Sequence, residues 1–183
     1  MDTEITLSDT RTKILDVAEH LTQLKGFNGF SYLDLADAIG IKNSSIHYHF
    51  KAKADLALAL VDRVYEVQST ALDAFDNNLD TPQQRLQAVA DSFQAYIQDE
   101  KFCLCGMMAA ELQSVSPAVR SRLTLYFKDL QAWLTKQFVA MGETDAQNRA
   151  LRFVSTAEGS LLLARLEGDP QIVGQALKSF IYD

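Results

Sequence analysis

The stretch SYLDLADAIGIKNSSIHYHF, residues 31–50, predicts two short helices joined by a tight turn. Ser31 is suited to cap the first helix, and Asp34, three residues later, completes the pattern of a capping box. Gly40 is expected to end that helix, because glycine adopts a left-handed backbone without steric cost. The turn therefore separates two helices that can pack closely against each other.

The second helix is predicted to have an apolar side and a polar side. Asn43 is expected to cap it, and Ile46 and Phe50 point inward because they are four residues apart. The other faces carry Ser44, Ser45, His47, Tyr48 and His49. A helix, a glycine turn and a short polar helix are the parts of a helix-turn-helix, whose second helix enters the major groove of DNA.

The charge distribution is typical of a small DNA contact on an otherwise acidic protein. The chain has 183 residues and a formal net charge of −7, which opposes binding to phosphate over most of its surface. Residues 38–54 contain no Asp or Glu and hold Lys42, Lys51 and Lys53 together with two of the three histidines. This window predicts a basic edge; the alternative is a solvated turn that happens to lack acidic residues.

Residues 30–56, FSYLDLADAIGIKNSSIHYHFKAKADL, resemble the DNA-binding region of the Tet repressor family of bacterial regulators. The shared features are a hydroxyl residue that opens the second helix, the L-A-x-x-x-G-I turn, the H-Y-H-F ending, and the K-x-K-x-x-L that leads into a long helix. One position departs from the family. Members commonly have Tyr directly after the buried aliphatic residue, whereas this chain has His47, with Tyr48 following.

The rest of the chain is predicted to be helical, since no stretch shows the period-two alternation of a strand. Three capping residues stand directly before a proline, which is the preferred start of a helix: Thr81-Pro82, Ser116-Pro117 and Asp169-Pro170. Helices are predicted over residues 9–25, from 52 onward, and over 82–99, 103–113, 117–140, 145–167 and 170–181, with residues 1–8 as a mobile arm that ends at Ser8.

The resemblance implies an all-α fold of about nine helices in two domains. It implies a helix-turn-helix DNA-binding domain over residues 1–52 and a helical ligand-binding and dimerisation domain over 53–183, joined by a long connecting helix. On this basis Ser44, Ser45 and His47 are placed near bases, and Ser31, Tyr48, His49, Lys51 and Lys53 near phosphates, with Lys42 and Asn43 completing the DNA-binding set.

The last two helices carry apolar faces that could pair with a second copy of the chain. The E-G-S-L-L-L-A-R run resembles the dimer interface of the family, and an intramolecular core is the alternative. The candidate interface residues are Leu151, Val154, Glu158, Leu161, Leu162, Arg165, Leu177 and Phe180.

Aromatic and methionine residues at helical spacing lie between the connecting helix and this pair. Such stripes usually form plain core, and that alternative stays open, although methionine also tolerates variable packing around a ligand. The resemblance implies an effector cavity, whose candidate lining residues are Phe93, Tyr96, Met107, Met108, Glu111, Tyr126 and Trp133.

Cys103 and Cys105 are candidate redox residues at the start of a predicted helix. A helix N-terminus lowers the pKa of a thiol, so either could react with an oxidant or electrophile; the alternative is two small buried residues. A C-x-C pair supplies half of a tetrahedral site and its side chains diverge on a helix, as do those of His47 and His49, so no metal site is predicted.

The leading hypothesis is a ligand-responsive repressor that binds operator DNA as a homodimer and is released by a small apolar or amphipathic effector. A regulator of the same fold switched by its cysteines is the alternative, and an all-helical enzyme or carrier is the rival from another class. The sequence holds no recognisable catalytic motif, so neither an enzyme nor a cofactor is expected. It also lacks a signal peptide and any apolar run near roughly 18 residues, which predicts cytoplasmic residence without membrane contact.

Overall fold

The computed structural model describes residues 2–98 and 100–182, which form nine α-helices and no strand. The helices are α1 (Asp2–Lys25), α2 (Tyr32–Ile39), α3 (Asn43–His49), α4 (Lys53–Asn78), α5 (Pro82–Gln98), α6 (Leu104–Ala110), α7 (Pro117–Ala140), α8 (Ala146–Glu167) and α9 (Gln171–Tyr182). A 3₁₀ turn, Phe27–Gly29, lies between α1 and α2. The predicted all-α fold is confirmed.

Most helix boundaries follow from the capping residues. The Thr81 hydroxyl accepts a hydrogen bond from the Gln84 backbone N–H, and the Gln84 side chain accepts one from the Thr81 N–H. Ser116 accepts from the Val119 N–H at the start of α7. At the other end, Gly168 ends α8 with a left-handed backbone, φ +68°.

Three predicted boundaries were wrong. Helix α6 covers Leu104–Ala110, so it is shorter than the predicted range 103–113 and begins after Cys103. Helix α1 begins at Asp2, so residues 2–8 belong to the helix instead of forming an arm that ends at Ser8. Acidic residues in a first turn favour a helix, and the stretch contains neither Gly nor Pro. The capping position of α3 is Lys42, whose backbone is extended, and Asn43 is the first helical residue.

The chain divides into two compact units. The head unit comprises Met1–Val64 and Leu104–Leu123, and the body unit comprises Tyr65–Cys103 and Thr124–Asp183. This division differs from the boundary expected between residues 52 and 53, because α6 and the start of α7 bond to N-terminal residues. Arg122 forms an ion pair with Asp62, for example.

Each unit has its own buried apolar residues. In the head unit, α1 packs against α2 and α6, and α2 packs against α3. In the body unit, α5, α8 and α9 pack against one another, and Arg149 of α8 lies over the rings of Phe138 and Phe180. Within the described residues, no helix is both long enough and apolar enough to cross a membrane.

Candidate nucleic-acid interface

The two helices of the predicted helix-turn-helix are held by local bonds. The Ser31 hydroxyl accepts from the Asp34 N–H, and the Asp34 carboxylate accepts from the Ser31 N–H, which confirms the capping box. These bonds lower the pKa of Asp34. Gly40 is left-handed, φ +78°, and its N–H donates to the carbonyls of Ala36 and Asp37. The turn between α2 and α3 is therefore closed by backbone bonds.

Helix α3 is anchored by its apolar side. Ile46 is fully buried and Phe50 nearly so, as expected. The guanidinium of Arg11 lies 5.2 Å from the centre of the Phe50 ring. The residues of α3 and its cap that are expected to contact DNA are exposed or half-buried: Lys42, Asn43, Ser44, Ser45, His47, Tyr48 and His49. The anchored helix thus presents these side chains together, and their contacts with DNA remain a prediction.

The aromatic residues of α3 pair with other rings. His47 contacts Tyr32 of α2 edge to face, with centroids 5.0 Å apart. Tyr48, which is 68% exposed, contacts His49 with centroids 5.2 Å apart. Burial, and secondarily the nearby Arg11, lowers the pKa of His49.

Lys53 is placed differently from the sequence-based expectation of a phosphate contact. Its ammonium donates to the carbonyl of Phe30 and lies 4.8 Å from the ring centres of both Phe27 and Phe30. Burial lowers the pKa of Lys53, opposed by the nearby carboxylates of Glu111 and Asp34. The ammonium is therefore bound within the head unit, whereas Ser31 and Lys51 remain exposed.

Glu111 belongs to the head unit, although the sequence placed it in an effector cavity. Its carboxylate accepts from the Asn28 backbone N–H at 3.0 Å, while the Asn28 side chain donates to the Ser114 hydroxyl at 2.6 Å. A side chain at Gly26 would collide with the Glu111 carboxylate. The end of α6 is thus fitted against the 3₁₀ turn that leads into α2.

The other predicted cavity residues are divided between the two units. Phe93, Tyr96, Tyr126 and Trp133 belong to the body unit, and Met107 and Met108 belong to the head unit. Phe93, Tyr126, Trp133 and Met108 are buried, and the other two are half-buried. The indole N–H of Trp133 donates to the Asp76 carboxylate at 3.0 Å.

An open groove of about 240 Å³ in the body unit borders Trp133. Its lining includes Asp73, Asp129 and Lys136. Asp129 also accepts a hydrogen bond from the Tyr65 hydroxyl. The groove is therefore lined by charged residues and by one aromatic residue, Trp133. No sequence pattern distinguishes Lys136 and the two aspartates from other charged residues of the chain.

The two cysteines are fully buried and form no disulfide within the described chain. Because burial shields both thiols from solvent, their placement disfavours rapid reaction with an oxidant. The Cys103 thiol approaches the carboxyl group of Glu158 closely enough to lower its pKa. Burial has the larger, opposite effect and raises the pKa of Glu158 to about 7.

The candidate dimer residues fall on two sides of their helices. Three of them, Val154, Leu161 and Leu177, are buried inside the subunit. The carboxylate oxygens of Glu158 are also shielded from solvent, and neither has a hydrogen bond of normal geometry to a described residue. Leu151 is 50% exposed and Leu162 is 58% exposed, while Arg165 and Phe180 are half-buried.

The sequence analysis missed part of the exposed face of α8. Leu166 is 78% exposed and stands four residues after Leu162, so both lie on one side of the helix with Leu151. Gly159 lies on the same side, where no described residue comes within 4 Å of an added side-chain carbon. Leucine spacing alone could have located this stripe, which we call the α8 stripe: Leu151, Gly159, Leu162 and Leu166.

Comparisons with known proteins agree with this architecture. Residues 14–60 match the family described as "Bacterial regulatory proteins, tetR family", and residues 82–178 match "Transcriptional regulator LmrA/YxaF-like, C-terminal domain". An uncharacterized HTH-type transcriptional regulator of the lacX 3′ region in Lactococcus lactis subsp. lactis is 26% identical over 174 residues. That match covers 91% of this chain and 89% of the relative.

Two solved structures extend the match over nearly the whole chain. A TetR transcriptional regulator from Legionella pneumophila is 33% identical with a TM-score of 0.86, covering 92% of this chain and 93% of that one. A TetR-family regulator from Agrobacterium tumefaciens is 28% identical with a TM-score of 0.90, covering 96% and 97%. With its helix-turn-helix and its helical C-terminal half, the chain belongs to the tetR family of bacterial regulatory proteins.

Proposed function

We propose that this transcriptional regulator is a homodimeric cytoplasmic repressor, which binds operator DNA through α3 and is released by a small molecule. The observation that carries the proposal is the exposed polar side of α3, which lies in a window without acidic residues on a chain of net charge −7. A helix with this surface meets the negative major groove without repulsion, whereas the rest of the chain is repelled by DNA.

Within this proposal the side chains divide by reach and chemistry. Ser44, Ser45 and His47 contact base edges, since they lie outside the side of α3 that Ile46 buries. Exposed residues around the helix contact phosphates and set its register on the duplex: Ser31, Lys42, Asn43, Tyr48, His49 and Lys51. The short helix makes few contacts, so a second copy is needed for tight binding.

The α8 stripe supports the proposal that two copies of the chain form a dimer. Three exposed leucines on one side of a helix form an apolar surface, and Gly159 among them lets another backbone approach closely. A two-fold axis through such a stripe would pair the same residues from both chains. A dimer would also place two copies of α3 on paired half-sites, which is how helix-turn-helix proteins bind DNA.

The DNA-binding proposal is tested by gel shift with the DNA upstream of the gene that encodes this chain. We expect sequence-dependent binding that weakens as salt rises, and the same chain with Ser44 and His47 replaced by Ala serves as the control. Binding of upstream and unrelated DNA with equal affinity at low salt would reject operator recognition.

We place effector binding in the body unit. The chain has a single tryptophan, Trp133, which is buried and borders the open groove. Phe93, Tyr96 and Tyr126 supply further aromatic surface in the same unit. An amphipathic molecule fits this combination of aromatic and charged lining better than a purely apolar one.

Trp133 makes effector binding directly measurable. A ligand that binds nearby should change the fluorescence of Trp133 and should release DNA in the gel shift over the same concentration range. A compound that releases DNA but leaves the fluorescence unchanged at saturation would place the effector site elsewhere.

A further inference from the structure

We propose that Tyr32 is a positioning residue that holds the imidazole of His47 against the first turn of α2, so that His47 reads one guanine in each half-site. The inference rests on the proposed DNA-binding function and deepens it. His47 is also the position at which this chain departs from the family pattern, so its role must come from its own surroundings.

The contact joins two helices of the head unit. Tyr32 is the first residue of α2, and its ring meets that of His47 on α3 at 67°, with centroids 5.0 Å apart. Tyr32 is half-buried and His47 is exposed. One side of the imidazole is therefore fixed by Tyr32, while the rest of the ring remains open to a ligand.

The Tyr32 hydroxyl itself does not face that ligand. Its oxygen is buried and has no hydrogen-bond partner in the part of the chain that the structure describes. Burial, and then the carboxylate of Asp55, raises the pKa of Tyr32 to about 12. Tyr32 therefore contacts His47 through its aromatic ring, and this contact does not require the hydroxyl.

The support of His47 differs from that of its neighbours on α3. Ser44 carries a short side chain, and Tyr48 contacts His49, which is its neighbour in sequence on the same helix. His47 contacts a residue of a different helix. A side chain held from outside its own helix loses little further freedom when it binds, and such preorganisation favours specific recognition.

The chemistry of imidazole selects the base. A ring N–H of His47 is a hydrogen-bond donor and needs an acceptor on the floor of the major groove. Guanine presents two adjacent acceptors there, N7 and O6, whereas adenine presents one acceptor beside a donor. A fixed imidazole N–H therefore favours a G·C pair at one position of each half-site.

The inference is tested by selecting DNA from a random library with the full chain and three variants. Tyr32→Phe keeps the ring and removes the unpartnered hydroxyl, Tyr32→Leu removes the ring, and His47→Ala removes the donor. We expect the wild type and Tyr32→Phe to select the same sequence. Tyr32→Leu and His47→Ala should both lose preference for guanine at the same position, by about tenfold, with other positions unchanged.

A chemical probe separates base reading from a general effect on folding. In the selected operator, 7-deazaguanine at that position removes N7 and leaves base pairing intact. The wild type should then bind about tenfold more weakly, while His47→Ala should be insensitive to the change. Should Tyr32→Leu fail to fold, Tyr32→Met takes its place as a longer apolar side chain without the ring, and the same loss of guanine preference is expected of it. Unchanged preference in Tyr32→Met would reject the positioning role.

The outcomes distinguish the inference from the proposed function. Selection of no preferred sequence by the wild type would reject operator binding altogether. If His47→Ala selects the same bases as the wild type at every position, only the proposed role of His47 is rejected. Loss of preference at all positions in Tyr32→Leu, with His47→Ala losing one, would show that Tyr32 supports the whole head unit and does not position His47.

Discussion

The ammonium group of Lys53 is bound by a backbone carbonyl and two aromatic rings. Phe30 supplies the carbonyl and one ring, and Phe27 supplies the other ring. A charged donor on a carbonyl and a cation over an aromatic face both stabilise a fold. The ammonium group of Lys53 therefore links the start of α4 to Phe27 and Phe30, which precede α2.

We predict that Lys53→Met lowers the free energy of unfolding by about 2 kcal/mol, because it removes the charged hydrogen bond and the cation–π contacts. The change should leave the salt dependence of DNA binding unaltered. Urea unfolding and gel shifts at several salt concentrations measure the two effects. The control is Lys51→Ala at an exposed cation, which should lower the salt slope by about one unit with little loss of stability. A lower slope in Lys53→Met would instead assign its ammonium to a phosphate.

Glu158 is a carboxyl group whose protonation is coupled to folding. Its pKa is raised from 4.5 to about 7, chiefly by burial and despite the Cys103 thiol. The folded chain therefore holds the proton more tightly than the unfolded chain does. The resulting stability is fully present below the unfolded pKa and is lost as the pH rises through 7.

We predict that Glu158→Gln flattens the pH dependence of stability. Between pH 4.5 and 8 the wild type should lose on the order of 3 kcal/mol through this group, since each unit of pKa shift corresponds to about 1.4 kcal/mol. Urea unfolding of both proteins at pH 5 and pH 8 gives the difference. Parallel pH profiles for the two proteins would contradict the burial of an ionisable carboxyl at this position.

At the scale of elements, the turn between α2 and α3 depends on one glycine. Gly40 has φ +78°, and no described residue comes within 4 Å of a side-chain carbon added there. The requirement for glycine is therefore conformational, and crowding plays no part. The same residue sets the direction in which α3 leaves α2.

Gly40→Ala should destabilise the chain by about 1–2 kcal/mol, the cost of a left-handed backbone for a residue with a side-chain carbon. Gly40→Asn should cost less, since asparagine enters this conformation more readily. Thermal or urea unfolding ranks the two variants. Equal losses would mean that the turn rearranges instead of retaining its left-handed residue.

The α8 stripe is the element through which we expect two chains to associate. Leu162→Glu places a charge in the centre of the stripe and should convert a dimer into monomers, because burying an unpaired carboxylate is costly. Light scattering after size exclusion measures the mass. Val139→Glu changes an equally exposed residue of α7 and should leave the mass unchanged. Identical masses for wild type and Leu162→Glu would move the interface elsewhere.

At the scale of the whole molecule, residues 104–123 belong to the head unit although they are distant in sequence. The chain passes from one unit to the other at residues 64–65, 103–104 and 123–124. The first crossing lies within α4 and the last within α7. The head unit therefore includes α6 and the start of α7 in addition to the N-terminal residues.

The contribution of residues 104–123 to the head unit can be tested at Glu111. Glu111→Ala removes the acceptor for the Asn28 N–H and should lower stability by about 1–2 kcal/mol, because a hydrogen bond to a charged group is lost. It should also weaken DNA binding. Glu111→Gln retains an acceptor oxygen and should recover most of both losses. If Glu111→Gln and Glu111→Ala behave alike, the carboxylate charge and not the hydrogen bond is what matters.

Local features were predictable from the sequence wherever a short-range physical rule governs them. The capping box at Ser31, the helix start at Thr81-Pro82 and the turn at Gly40 depend on residues within four positions of each other, and all three were predicted correctly. The burial of both Ile46 and Phe50, four residues apart, follows from helical periodicity in the same way. The start of α1 was missed because Ser8 is also a good capping residue.

Long-range placements were not predictable, since residues far apart in sequence decide them. Amphipathic periodicity identifies the apolar residues of α8, but it does not tell a face that packs inside the subunit from one left exposed. Val154 and Leu161 face inward and Leu162 outward, because α5 and α9 cover only one side of the helix. The same limit applies to Lys53, whose partners were identifiable only after folding.

The sequence by itself determined the helix-turn-helix, because its capping residues, glycine turn and charge pattern act over a few positions. It also determined the family and the all-α fold. Only the tertiary structure decided which side chains remain accessible to a ligand. Lys53 and Glu111 form hydrogen bonds within the head unit, and the carboxyl group of Glu158 is buried. The ring of Tyr32 packs against that of His47. Burial and partner choice depend on contacts between distant segments, and those exist only in the folded chain.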